Sequence, residues 1–313
     1  MKGVEKMIHS INFFVKVSPY DINLGLFKQI DFLRSYYKYD NNINFKFKLP
    51  CNLTIETTAE AVIDKKYEPI TEKDYNLYVT KLREIISKVI KNNIDKLDFE
   101  LTRIDYKVDI PMSLEEIKLF EKLKDKHSKR YKYMTQKKEY ETSTHLNNKY
   151  GKYNLNSYYK FKKDSDIKYF NSWRIEVQTK KASMRKNLLN YGIKRNLKNY
   201  WCKSAFDENF LIFLKNYYYI GDYYTLNKAR EMIRKSSYSK TIQNNLCKFI
   251  TSISRYGIDY ARNKYNYSVF NKYISILNEI KVNPVTIDND SELTYMENIL
   301  KRAERIANEK YWT

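Results

Sequence analysis

Leu101-Thr102-Arg103-Ile104-Asp105-Tyr106-Lys107-Val108-Asp109-Ile110 and, about 70 residues later, Trp173-Arg174-Ile175-Glu176-Val177-Gln178-Thr179-Lys180-Lys181 decide how this chain folds. Polar and apolar residues alternate in both stretches, the period-two pattern of a half-buried strand. Arg103, Asp105, Lys107 and Asp109 then share one face of the first strand, and Arg174, Glu176 and Gln178 share one face of the second. Set side by side, the strands would present Asp105, Asp109 and Glu176 on one surface. Three carboxylates there would form an all-oxygen site for a hard divalent cation, Mg²⁺ or Mn²⁺. Strand-face carboxylates also serve as solubilising charge, with Arg103 or Arg174 as weak partners. Spacing alone leaves both readings open.

Outward from these strands, the N-terminal half mixes element types. Ile8–Val17 and Ile43–Leu49 read as strands, and Leu24–Tyr37 reads as an amphipathic helix. A second helix should start after Thr71-Glu72-Lys73-Asp74, with apolar residues recurring from Leu77 to Ile90. Lys118–Tyr150 is dense in charge and reads as a solvated helix or a basic loop. Strands are expected around Leu155–Phe161 and Trp173–Val177, followed by a basic helix from about Ala182 to Gly192. From about Ala205 the periodicity is helical, with no strand signal before a last helix around Leu293–Ile306. The expected class is α+β: an antiparallel sheet with packed helices over residues 1–204, then an all-α domain over 205–313.

The net charge is +21, and it is unevenly spread. Lys118–Lys203 holds 24 basic and 7 acidic residues, so about +17 lies in roughly a quarter of the chain. An AT-rich coding bias would raise Lys everywhere, whereas this concentration points to a polyanion, nucleic acid. Cys51, Cys202 and Cys247 lack metal-ligand spacing and read as reduced thiols. No long apolar run or signal pattern occurs, so a cytoplasmic protein without a membrane partner is expected. His9, His127 and His145 make no His-x-His pair, and no glycine-rich phosphate loop is present, which argues against an ATPase.

Asn156-Ser157-Tyr158-Tyr159-Lys160-Phe161-Lys162-Lys163 places tyrosines beside lysines. A tyrosine near a lysine and a divalent metal suits phosphodiester transesterification, in which the phenolate attacks phosphorus and the cations offset the developing charge. With 31 tyrosines in the chain, chance neighbours are common, and the pattern fits either origin. Lys248–Val282 reads as helix, Gly257 turn, helix and helix. This suits a helix-turn-helix DNA-binding module, and equally a bundle corner.

In this order the segments resemble the replication initiators of filamentous phages (the gene II type) and the related rolling-circle plasmid Rep proteins. Arg103-Ile104-Asp105, the Thr-rich stretch Thr142–Lys163, Arg174-Ile175-Glu176-Val177 and the basic run Lys180–Ile193 carry the resemblance, which is close over Leu101–Ile193. It implies an enzyme that nicks one strand at a replication origin, presented as hairpin or duplex DNA, and holds the 5′ phosphate on a tyrosine. It further implies Asp105, Glu176 and Asp109 as metal ligands. Arg103, Arg174, Lys180, Lys181, Arg185 and Lys186 become candidate DNA contacts. The family's Tyr-x-Lys strand is met in two frames. One uses Tyr158 or Tyr159 with Lys160; the other puts Phe161 at the nucleophile position with Lys163 behind it. A non-catalytic DNA-binding replication regulator on the same fold is the alternative. A host helicase and a second copy of the chain are the other expected partners.

Overall fold

The alternating segments all enter one sheet. The computed structural model describes residues 7–31, 34–40, 42–64, 70–91, 94, 98–123, 126–127, 134–140, 143–148, 153–161 and 170–310. Its strands are β1 (Ile8–Lys16), β2 (Lys28–Asp31), β3 (Arg34–Asp40), β4 (Ile43–Lys48), β5 (Asn52–Thr58), β6 (Glu100–Pro111), β7 (Met134–Tyr140), β8 (Ser143–Asn148), β9 (Tyr153–Tyr159) and β10 (Ser172–Lys180). Among the described residues these ten form a single sheet in the order β2-β3-β4-β5-β1-β6-β10-β9-β8-β7. Neighbouring strands are antiparallel throughout. The sheet and its helices make the chain α+β.

One face of the sheet is apolar and covered by helices. Tyr106, buried on β6, donates its hydroxyl to the Tyr200 carbonyl at 2.7 Å and sets its ring edge-on to Phe206. Helix α1 (Ala59–Ile63) follows β5, and α2 (Tyr75–Ser87) begins behind a capping box in which Thr71 and Asp74 satisfy each other's backbone. Trp201 locks α2 to the sheet: its ring lies 4.8 Å from Tyr78 and its indole N–H donates to the Thr71 carbonyl at 2.9 Å. A buried side chain of this size contributes several kcal/mol, on the order of the ~3–5 kcal/mol lost on truncating a core aromatic.

Two expectations fail in the first half. Leu24–Tyr37 is not a helix but a 3-10 turn, Leu24–Leu26, running into the β2–β3 hairpin. Tyr37 pairs with Phe45 across β3–β4 and stacks on it, and Phe27 packs against both Tyr37 and Phe47. Cross-strand ring pairs of this kind outweigh a helical spacing of apolar residues. Lys118–Tyr150 contains the end of α3 (Leu114–Leu123) and then the β7–β8 hairpin, in place of a basic loop or long helix. These strands are held through backbone pairing onto β9, so they need no apolar alternation of their own.

After β10 the chain is mainly helical: α4 (Lys181–Tyr191), α5 (Leu197–Tyr200), α6 (Lys203–Phe206), a π-helical stretch, α7 (Phe213–Tyr218), α8 (Leu226–Lys235), α9 (Lys240–Tyr256), α10 (Ile258–Lys264), α11 (Tyr267–Glu279) and α12 (Ile299–Lys310). Gly192 ends α4 at φ 69°, the left-handed conformation glycine adopts without strain. A ribbon of β11 (Tyr223–Tyr224) and β12 (Tyr295–Met296) interrupts the helices where no strand was expected; two residues per strand are too few to give a period. Behind β9, the Ser157 hydroxyl accepts from Tyr218 at 2.7 Å and from Trp173 at 2.8 Å, and α12 lies along β6. Among the described residues, no helix is long and apolar enough to cross a membrane.

Candidate active site

The face of β6, β10 and β9 turned away from Tyr106 carries charge instead of a core. Register fixes it in rows. Asp109 pairs with Arg174 and Arg174 with Tyr158; Lys107 pairs with Glu176 and Glu176 with Asn156; Asp105 pairs with Gln178 and Gln178 with Asn154; Arg103 pairs with Lys180. Because strand side chains alternate, every residue named in these rows points to the same side. The expected gathering of Asp105, Asp109 and Glu176 on one surface therefore occurs. Lys107, Asn154 and Asn156 join them without having been assigned a role, although the stripe Asn154-x-Asn156-x-Tyr158 signals it in sequence.

Asp105, Lys107, Asp109, Arg174 and Glu176 are deeply buried, so their charges must find partners within the protein, whereas Arg103, Asn156, Gln178 and Lys180 are half-buried. Arg174 grips Asp109 through two hydrogen bonds, its NH2 donating to Oδ2 at 2.5 Å and its Nε to Oδ1. Arg103 grips Asp105 in the same way, with Nε to Oδ1 at 2.8 Å. Glu176 Oε1 accepts from the Tyr158 hydroxyl at 2.8 Å and lies 3.8 Å from Arg174 NH1, while Oε2 accepts from Asn156 at 3.4 Å. Lys107 lies 3.8 Å from Glu60 of α1. Asn154 donates to Gln178 at 3.0 Å.

The cations Arg103, Lys107, Lys160, Arg174 and Lys180 outnumber the carboxylates on this face, and the lysines register the excess. Burial, together with the charges of Arg174 and Lys107, lowers Lys160 to about 7. Burial and Arg174 lower Lys107 to about 8. Burial pushes Asp105 up to about 6 despite Arg103. Burial also acts upward on Asp109, but the charge and hydrogen bonds of Arg174, helped by Lys107 and Lys160, outweigh it and hold that carboxyl below its usual range. Burial and the Glu176 carboxylate hold the Tyr158 phenol well above its ordinary value.

The expected all-oxygen cation site does not fit this arrangement. Among the described residues no three His, Cys, Asp or Glu side chains are grouped to hold a metal ion. Asp105 and Asp109 stand four residues apart on one strand, roughly 13 Å, too far to share an ion. Both oxygens of each are already taken by an arginine. A surface with surplus positive charge and near-neutral lysines suits an anion such as phosphate.

The two tyrosines separate. Tyr158 lies on the charged face against Glu176, whereas Tyr159 turns to the apolar side, packs near Phe161 and donates to the Phe170 carbonyl at 2.6 Å. Lys160 sits at the end of β9 within electrostatic reach of Arg174 and Glu176. Lys163 lies outside the described residues. Lys180 and Lys181 are half-buried where β10 meets α4, and Arg185 and Lys186 are exposed on α4.

No family model matches this chain, and no curated protein matches it. Among solved structures it is similar to the rolling circle replication initiator protein from Geobacillus stearothermophilus, at 11% identity over 91% of this chain and 98% of that chain, with a TM-score of 0.39. A likeness this distant decides neither the fold nor the chemistry of this chain.

Proposed function

We propose that this protein is a rolling-circle replication initiator that cuts and rejoins one DNA strand through Tyr158. The observation that supports the reading is a nucleophile–base pair: the Tyr158 hydroxyl donates to Glu176 at 2.8 Å, and Asn156 and Arg174 orient that carboxylate. The Tyr158 oxygen attacks a backbone phosphorus, its proton passes to Glu176, and the bond from phosphorus to the 3′ oxygen breaks. Lys160, which ionises near 7, gives its proton to the leaving oxygen. The 5′ phosphate stays on the tyrosine as a phosphodiester, and the freed 3′ hydroxyl is open to a polymerase. Arg174 and Lys107 offset the charge growing on the non-bridging oxygens. The same steps in reverse rejoin the strand.

Mg²⁺ or Mn²⁺ enters this reading through the strand spacing of the carboxylates and the family resemblance. Glu176 and Asp109 would hold an ion together only if Arg174 moved off Asp109, so no step here runs through one. In the same reading residues 1–204 cut, and residues 205–313 recognise the origin through α9–α11. A host helicase and a second copy of the chain would be the cytoplasmic partners.

Incubation with a pool of single-stranded and hairpin DNA, with and without Mn²⁺, followed by a denaturing gel, tests the proposal. A covalent adduct should form with the wild type and with Tyr159→Phe, and Tyr158→Phe should abolish it. Adduct in Tyr158→Phe at the wild-type level would sink the assignment. Cutting should slow as pH rises through about 7, because Lys160 loses the proton it must give. Lys160→Arg should remove that limb and cost about 10²-fold in rate. The burial of Tyr158, only 5% exposed, favours a second reading: a regulator that binds DNA without cutting. Tight DNA binding with no adduct under any of these conditions would select it.

A further inference from the structure

Beyond the rows that hold Tyr158, the charged face ends in a cleft of about 450 Å³, lined by Asn12, Thr102 and Arg103 on one side and by Lys180, Lys181 and Arg185 on the other. The sequence explains why cations converge there. β10 stops at Lys180 opposite Arg103, α4 starts at Lys181 directly after it, and one helical turn later Arg185 returns to the same side. The side chains of Lys180 and Arg185 make no hydrogen bond or ion pair with the described residues, and Lys181 Nζ lies 5.4 Å from the centre of the Phe14 ring. The nearby carboxylates are committed elsewhere, Asp105 to Arg103 and Glu100 to Arg195 at 2.7 Å. Burial and the neighbouring Arg103 lower Lys180 more than Asp105 raises it, and burial with Arg185 and Arg195 lowers Lys181 more than Glu100 raises it. The first turn of α4 adds backbone N–H groups, since the side chain of Lys180 at its N-cap makes no capping bond.

We infer that this cleft is a second phosphate subsite, which grips the backbone of the DNA strand some way along from the phosphate presented to Tyr158. The separation follows from register. Six residues of β10 divide Arg174, the partner of Tyr158, from Lys180, roughly 20 Å at ~3.3 Å per residue. That spans on the order of six nucleotides of stacked strand at ~3.4 Å each, and fewer if the strand is stretched. The two sites lie towards opposite ends of the same face of β6 and β10, so a strand reaching both would run along it. The inference rests on the proposed DNA substrate but not on Tyr158 being a nucleophile. It would hold equally for a protein that binds without cutting.

The test is therefore a binding measurement, made with the full chain in a Tyr158→Phe background. Fluorescence anisotropy with a labelled random-sequence oligonucleotide, single-stranded and duplex, would be followed across a salt series. Lys180→Ala/Arg185→Ala should weaken binding at least tenfold and flatten the log–log salt slope by about 0.7–0.9 for each lost contact. Lys118→Ala/Lys122→Ala, which removes the same charge from the exposed face of α3, should change affinity less than threefold. Lys180→Arg/Arg185→Lys should retain binding. DNA should protect Lys180 and Lys181 from acetylation in mass-spectrometric footprinting, while inorganic phosphate at equal phosphate concentration should not. Equal losses in the cleft and α3 variants would overturn the subsite, as would equal protection by inorganic phosphate. Whether the wild type forms an adduct is read separately and bears only on Tyr158.

Discussion

Two arginine–aspartate pairs lie on the same face of the same sheet, joined by the same two hydrogen bonds, and they behave oppositely. Arg103 and Asp105 are two residues apart on one strand, and the arginine side chain is 34% exposed over a carboxylate that is 2% exposed. Arg174 and Asp109 meet across β10 and β6 and are 2% and 6% exposed. Asp109 has Lys107 and Lys160 beside its arginine and is held ionised, whereas Asp105 has chiefly Arg103 and is pushed up to about 6. Hydrogen-bond geometry alone thus does not fix the state of a buried carboxylate; the number and depth of the surrounding cations do. The two ends of the face differ accordingly. The end near Tyr158 is a buried, hydrogen-bonded charged network, and the end near Lys180 keeps a carboxyl that can take up a proton.

The largest effect should come from breaking the deeper pair. Arg174→Met would leave Asp109 charged and buried without its main partner, a change expected to cost about 3–5 kcal/mol. Urea unfolding of the variant at neutral pH would measure it, and a loss under 1 kcal/mol would show that the Asp109 end relaxes more easily than its packing implies. Replacing Asp109 as well, with Asn, should recover part of the loss, because the stranded charge is then gone.

The pairs should next separate by pH. Asp105 ionises at about 6 when folded and at 3.8 ordinarily, so between those values the folded chain keeps a proton the unfolded chain has lost. Stability therefore falls as pH rises from about 3.8 to about 6, by on the order of 2–3 kcal/mol. Asp105→Asn should erase that decline. Asp109 has the opposite sign. Its lowered value contributes stability above 3.8 that is lost as pH falls through its folded value, so Asp109→Asn should destabilise the protein at pH 7. Thermal melts of both variants from pH 3 to pH 7 would decide the matter. Parallel curves would contradict the contrast.

The strands that carry this contrast were legible in the sequence because period-two alternation shows directly in Arg103–Ile110 and Trp173–Lys180. The shared face of Asp105, Asp109 and Glu176 followed from the same period. The partners were not legible to the same degree. Arg103 and Asp105 share a face by spacing alone, but Arg174 meets Asp109 only because β10 pairs with β6 in one particular register, which local sequence does not encode. The β2–β3 hairpin was hidden for a related reason: Phe27 and Tyr37 fall in a stretch whose apolar spacing looks helical along the chain, and they meet each other, Phe45 and Phe47 only once strands are set side by side. That Tyr158 and not Tyr159 takes the charged face likewise needed the phase of β9, since adjacent residues differ only in which face they take.

The smallest change asked of the shallow pair is also the most discriminating. Arg103→Met removes a guanidinium already one-third in water, so the stability lost at pH 7 should be near 1 kcal/mol, well below that for Arg174→Met. Its second effect is on proton uptake. Arg103 is what holds Asp105 down against burial, and without it the carboxyl should ionise above 6, extending the pH-dependent decline of stability toward neutrality. Lys180, pushed down by burial and by Arg103, should at the same time regain affinity for its proton. An NMR titration of the Asp105 carboxyl in wild type and variant would resolve the first shift. A carboxyl that stayed at about 6 without its arginine would mean that Lys180, and not Arg103, sets the charge at this end of the face.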